Sequence, residues 1–178
     1  PQVGKPAPAF SSVDTAGRTW SLAELKGKPV ILEWTNHDCP YVRKHYGAGN
    51  MQTLQRAATR AGYIWFTVIS SAPGKQGHIA AAEADRLTKT RGAAPTAVLL
   101  DEKGDIGRAY GAQTTPHMFI IGTDGTLLYM GGIDDRPTSN PEDIEGAKNY
   151  VRAAMADIAA GRPVAQPVTR PYGCSVKY

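Results

Sequence analysis

The residues best suited to chemistry lie in one ten-residue stretch, 33–42 (EWTNHDCPYV), where Cys39 follows a short apolar run and precedes a proline. A proline here suits the first turn of a helix, so Cys39 falls at a helix N-terminus. Unpaired N–H groups and the helix dipole stabilise a thiolate at such a point, and cysteines so placed have depressed pKa values and act as nucleophiles. A protonated His37, two residues upstream, would deepen that depression, whereas Asp38 would oppose it. The competing reading is a cysteine packed into the core, the usual fate of a lone thiol; the order strand, Cys, Pro, helix favours a reactive one.

The elements that must hold Cys39 in place follow from periodicity and turn signals. Residues 29–35 (PVILEWT) predict a short strand buried on both faces. Ahead of it, residues 10–20 predict a small hairpin about Asp14-Thr15-Ala16-Gly17. Ser21 to Glu24 reads as a capping-box start for a short helix ending at Gly27. From Pro40 a helical stretch runs through Met51, Leu54 and Ala58 to Gly62. Residues 63–70 and 96–101 predict further strands, 79–90 a helix rich in alanine and charge, and 106–110 a short helix closed by Gly111. Residues 118–121 and 127–130 form a strand pair about an Asp-Gly turn. Residues 141–160 are the last helix, with Pro141 in its first turn and Gly161 past its end. The order β-α-β-α-β-α-β-β-α implies an α/β fold that begins with parallel crossovers and finishes with an antiparallel hairpin.

Composition narrows the function classes. The chain has 178 residues, 42% hydrophobic and 20% charged, which excludes general disorder and a fibrous design. No apolar run approaches the length of a membrane-spanning helix. The net charge of +4, from 20 basic and 16 acidic residues with mixed signs, leaves no nucleic-acid footprint. Residues 1–161 read as one domain and 162–178 as an extended arm, because Pro163, Pro167 and Pro171 exclude a helix. The arm carries Cys174, and two cysteines are too few for a disulfide scaffold or a four-ligand zinc site. The chain opens at Pro1 with no apolar signal segment. A removed secretory signal, and so a periplasmic or secreted location, is the expectation, with the cytoplasm as the alternative. Cys39, His37, Asp38 and His45 are imaginable metal ligands, but His45 falls on another side of the helix turn and no H-x-x-x-H pattern exists, so no metal is expected. Gly104, Gly107 and Gly111 are turn glycines rather than a phosphate loop, and no cofactor is implied.

A strand, then Cys-Pro-x-x at a helix start, then Thr115-Pro116 ahead of the closing hairpin, resembles the thioredoxin fold. Residues 10–34 resemble the redoxin branch, which includes the peroxiredoxins and periplasmic thiol-disulfide proteins. Asn36-His37-Asp38-Cys39-Pro40-Tyr41-Val42 and Gly173-Cys174-Ser175-Val176-Lys177 are similar to motifs of a peroxiredoxin-like group. The resemblance runs from about residue 4 to the end. It implies a thioredoxin fold with an N-terminal hairpin extension and a C-terminal arm, acting through Cys39. Its partners would be a protein or small-molecule thiol or disulfide and an external thiol reductant, with no nucleic acid and no membrane segment.

The resemblance also assigns roles. Val42 stands where thioredoxins place a second cysteine, so a local resolving thiol is absent. Glu33 stands where the fold places a buried acid. An acid within an apolar strand needs a partner or a chemical role. Burial would raise its pKa and suit it to carry a proton, and a strand-end glutamate satisfied by lysine or water is the equal alternative. Peroxiredoxins use Pro-x-x-x-Thr-x-x-Cys, but Leu32 and Asn36 hold those positions here and Thr35 is one residue out of register, which disfavours a dedicated peroxidase. By resemblance Pro116 is cis, Pro40 and His37 help to frame a substrate groove, and Thr115 offers its backbone to an extended substrate strand. His117 faces either the thiol or solvent.

Cys174 lies 13 residues beyond Gly161, about 40 Å of extended chain, so it can reach any part of a domain with a radius of gyration of about 15 Å. Three states of the pair stay open: a reversible disulfide in which Cys174 resolves what Cys39 attacks, a structural staple worth about 5 kcal/mol, or two free thiols. The corresponding functions are a thiol-disulfide oxidoreductase, a peroxiredoxin-like thiol peroxidase, and a non-catalytic thioredoxin-like binding module.

Overall fold

A computed structural model describes all 178 residues. In chain order the elements are β1 (Ser11–Val13), β2 (Thr19–Ser21), a 3-10 turn (Leu22–Leu25), β3 (Val30–Trp34), α1 (Pro40–Gly47), α2 (Asn50–Arg60), β4 (Ile64–Ile69), α3 (Ala81–Thr90), β5 (Ala97–Leu100), α4 (Asp105–Tyr110), β6 (Thr114–Thr115), β7 (His117–Ile121), β8 (Leu127–Gly131), a second 3-10 turn (Pro141–Asp143), α5 (Tyr150–Ala159) and β9 (Cys174–Ser175). No helix is long and apolar enough to cross a membrane.

The central sheet has the order β5-β4-β3-β7-β8. β3, β4 and β5 are parallel, and β7 and β8 run antiparallel to their neighbours. β3 is buried along its whole length, and its period of two splits its side chains between two cores. Val30, Leu32 and Trp34 pack with Phe66, Phe119 and the N-terminal hairpin on one face. Ile31 faces the other way, toward Met51 and Leu54 of α2, Val42 of α1, and Val151 of α5. Each large apolar side chain so buried contributes about 2 kcal/mol. Glu33 is the one charged residue within β3, and it lies on the second face.

Three expected elements differ in detail. The helical stretch expected from Pro40 to Gly62 is two helices, because Gly49 turns left-handed (φ 74°) between α1 and α2. The expected helix 141–160 is a 3-10 turn and then α5, which Asn149 starts afresh by accepting a hydrogen bond from the Arg152 N–H. The segment after Ser21 forms only a 3-10 turn, and Ser21 makes no side-chain cap, so the capping box is not built.

The C-terminal arm is hydrogen-bonded along its course. Pro167 and Thr169 bracket Met130 of β8 through backbone bonds of 3.0 and 3.1 Å, which extends the edge of the sheet. The Thr169 hydroxyl accepts from the Gly132 N–H at 3.0 Å. β9 then pairs antiparallel with β6, placing Thr114 opposite Ser175 and Thr115 opposite Cys174. At the terminus the Lys177 carbonyl accepts from the Ala72 N–H (2.8 Å), and the Tyr178 hydroxyl donates to the Ala112 carbonyl (2.7 Å). The approach to β6 is close enough that glycine is required at 173: it has a φ of 146°, and a Cβ there would overlap the Thr115 carbonyl. Gly173→Ala should therefore unseat the last turn of the arm at a cost of about 2 kcal/mol. Alkylation after graded reduction should then label Cys174 at a lower dithiothreitol concentration than in the wild type, while far-UV circular dichroism stays that of the wild type.

Candidate active site

Cys39 occupies the N-cap of α1 and Pro40 its first turn. The loop before it is shaped by Asn36, whose side-chain oxygen accepts from the Asp38 N–H at 2.9 Å and whose amide donates to the Gln76 side chain at 3.2 Å. The Asn36 carbonyl takes the Cys39 N–H at 3.0 Å. This turn brings Cys39 to the end of the sheet beside β6, where Sγ lies 3.4 Å from the Thr115 carbonyl oxygen. The Thr115–Pro116 peptide bond is cis. Cys39 and Cys174 form a disulfide with a Cα–Cα separation of 6.1 Å. Neither cysteine is free, and the Thr115 hydroxyl is buried without a hydrogen-bond partner.

The edge of β6, where an extended substrate strand is expected to pair, is held in this oxidised form by the chain's own β9. The remaining groove residues divide. Pro40 is exposed at the start of α1. His37 is half-exposed, with Nε2 3.5 Å from Asp38 Oδ2, and Asp38 also receives the Arg43 guanidinium at 3.2 Å. His117 faces neither the thiol nor solvent, against both expectations. It is buried and stacked on Phe119, in the core on the other side of the sheet from Cys39. The Gln113 N–H donates to its Nδ1 at 3.1 Å, and burial lowers its pKa to about 4, so the ring is neutral.

Glu33 is fully buried and saturated with donors. Its Oε2 accepts from the Tyr46 hydroxyl (2.6 Å), and its Oε1 from Trp65 Nε1 (2.9 Å), the Thr67 hydroxyl (2.9 Å) and Gln55 Nε2 (3.1 Å). Of the two alternatives, satisfaction by lysine or water is not what is found: its partners are neutral side chains from α1, α2 and β4. Burial raises its pKa against the pull of these donors and of Arg91. The Tyr46 hydroxyl ties the carboxyl to the helix that Cys39 begins.

A second buried polar cluster, invisible to the motif reading, fixes the arm two residues before Cys174. The Tyr172 hydroxyl donates to Asp134 Oδ1 at 2.6 Å and accepts from Lys44 Nζ at 3.1 Å. His45 Nε2 is 3.0 Å from the same oxygen. The Asn50 amide meets His45 Nδ1 at 2.9 Å, which leaves the ring proton on Nε2 to donate to Tyr172. Lys44, His45 and Asp134 are buried. Burial, with Lys44 alongside, lowers the pKa of His45 to about 3, and burial lowers that of Lys44 against the pull of Asp134. The adjacent Lys44-His45 pair on α1 is the only trace of this cluster in the sequence, and its bonds to the Tyr172 hydroxyl form only when the arm folds over it.

The chain has relatives among known proteins at the level of family and fold. A model of the AhpC/TSA family matches residues 3–130. No curated protein matches the chain. Among solved structures, an uncharacterized conserved protein from Geobacillus kaustophilus is 22% identical with a TM-score of 0.82, covering 99% of this chain and 92% of that one. A hypothetical protein from Sinorhizobium meliloti is 21% identical with a TM-score of 0.80, covering 100% of this chain, arm included, and 95% of that one. A secreted Mycobacterium tuberculosis disulfide oxidoreductase, homologous to E. coli DsbE, is 17% identical with a TM-score of 0.55, covering 77% of this chain and 92% of that one. At these identities the likeness shows the fold, which is that of thioredoxin. With the family model matched over well more than half of its length and this fold beneath it, the chain belongs to the AhpC/TSA family.

Proposed function

We propose that this redoxin is a thiol-disulfide oxidoreductase in which Cys39 is the nucleophile, Cys174 the resolving thiol, and Thr115 and Pro116 the platform for substrate. Family membership supports oxidoreductase activity in general. The observation that carries the specific reading is the juxtaposition of Cys39 at the N-cap of α1, Cys174 bonded to it, and the Thr115 carbonyl 3.4 Å away. In the reduced protein the Cys39 thiolate attacks a substrate disulfide and forms a mixed disulfide. The departing substrate sulfur leaves as a thiolate and takes a proton. Cys174, as thiolate, then attacks Cys39 Sγ, closing the 39–174 bond and releasing the second substrate thiolate. An external thiol returns the protein to its reduced form, and a periplasmic or secreted setting fits this cycle. A peroxidase would instead need a hydroxyl three residues before Cys39. Asn36 holds that place, with its side chain committed to Asp38 and Gln76.

In this reading Glu33 carries a proton for Cys39, and Tyr172 positions Cys174. Cys39→Ser should abolish reduction of a disulfide substrate, a loss of at least about a thousandfold. Cys174→Ser should stop after one turnover with substrate trapped on Cys39, as mass spectrometry of the unreduced protein would register. Tyr172→Phe keeps the ring and removes the hydroxyl that joins Lys44, His45 and Asp134. A tenfold fall in the effective concentration of Cys174 should raise the reduction potential by ~30 mV, measurable against a glutathione buffer, while the secondary structure stays unchanged. The pH dependence of Glu33 has a definite sign. Its native pKa lies above the ordinary value of about 4.5, so the native state retains a proton that the unfolded chain releases. The stability it contributes therefore declines as pH rises from that value through the native one. Glu33→Gln should flatten this limb of a thermal-unfolding pH series and slow disulfide exchange about tenfold.

A further inference from the structure

The two sulfurs of the disulfide differ in access. Cys39 is entirely buried, at 0% exposure, among Ile31, Val42, Tyr46 and Met118. Cys174 is partly exposed, and Ser175, which follows it in β9, is exposed. Beside it the arm and the β8–α5 loop enclose an open cavity of about 560 Å³, lined by Thr114, Asp134, Asp135, Arg170, Tyr172 and Gly173. That volume is ordinary for a small-molecule site. Disulfide exchange requires a thiolate to reach one sulfur and expel the other, and both access and the acidity of the leaving thiol decide which is attacked. Attack on Cys39 has no open approach while the arm strand covers it, since none of its surface is exposed. Attack on Cys174 starts from solvent and expels Cys39 at a helix N-terminus, where the developing thiolate is stabilised.

We propose that electrons reach the oxidised protein at Cys174 and leave the reduced protein from Cys39, with the cavity beside Gly173 admitting the reducing thiol. The inference rests on the redox reading above and adds to it the site and order of reduction. A thiolate RS⁻ attacks Cys174 Sγ. The RS–Cys174 bond forms, the 39–174 bond breaks, and its electron pair departs on Cys39. A second thiolate then attacks the RS sulfur, giving RSSR and a Cys174 thiolate that takes up a proton. Breaking the 39–174 bond leaves β9 held on β6 by hydrogen bonds alone, so a substrate strand can compete with it for the Thr115 edge as Cys39 becomes a thiolate. Charging the protein thus also loosens the cover of its groove.

The test traps the first intermediate. Oxidised full-length protein is mixed briefly with glutathione or, separately, with a single-cysteine variant of a thioredoxin. The reaction is quenched with an alkylating agent, and the adducts are mapped by peptide mass spectrometry. The expected result is the reductant on Cys174 and the alkyl group on Cys39, in at least tenfold excess over the opposite pattern. The reductant that yields it identifies the source of the thiol. The reductant on Cys39 with Cys174 alkylated overturns the proposal, as does the absence of any adduct on the folded protein with both reductants. Pro137→Trp, at the rim of the cavity, should slow reduction by the productive thiol at least tenfold while leaving the equilibrium reduction potential in place. An unchanged rate removes the cavity from the route. Failure here is distinct from failure of the redox reading, which would appear as disulfide exchange insensitive to Cys39→Ser.

Discussion

The antiparallel pairing of β9 with β6 is the contact on which the site depends. It is a short ladder, two residues on each strand, yet it sets Cys174 opposite Thr115 and so brings a sulfur from the far end of the chain against Cys39. Strand pairing fixes register in steps of one residue, and a slip by one turns every side chain to the opposite face. Gly173 enforces the register, since no other residue fits against the Thr115 carbonyl. A disulfide spanning 135 residues is therefore specified by local geometry at one sheet edge.

Two buried polar clusters support that edge from below. Glu33 is held by donors on α1, α2 and β4, so the carboxyl ties together three of the elements packed about Cys39. Lys44, His45, Asp134 and Tyr172 do the same for the arm. Neither cluster is a cheap source of stability, because desolvating charged groups offsets most of what their contacts return. What they provide is direction. Apolar packing alone would let α1 and the arm slide, whereas hydrogen bonds of fixed geometry do not.

The arm also alters how the fold meets other molecules. In the oxidised protein the edge of β6 is paired by the chain itself, so that edge is closed to a neighbouring strand. Because the strand that covers Cys39 carries the sulfur bonded to it, the covering and the oxidation state are linked.

Sequence alone is enough for the architecture and for the placing of Cys39 at a helix start after a buried strand. The alternating and continuous apolar runs of β3, β4 and β7, the Asp-Gly hairpin, and Cys39-Pro40 after a buried strand are local signals, each governed by the period of a strand or the chemistry of a helix start. The break at Gly49, the interrupted helix after Pro141 and the missing cap at Ser21 escape such signals because helix boundaries follow packing as much as propensity. Only the tertiary structure decided which partners Glu33 takes, that His117 turns away from the sulfur, and that Tyr172, Lys44, His45 and Asp134 meet. Those are contacts between residues up to 128 apart in sequence, and no spacing rule connects such positions. The pairing of the two cysteines belongs with them. Composition supplied both sulfurs and the proline-rich arm supplied the reach, but their meeting depends on a strand register that exists only once the sheet, α1 and the arm are folded together.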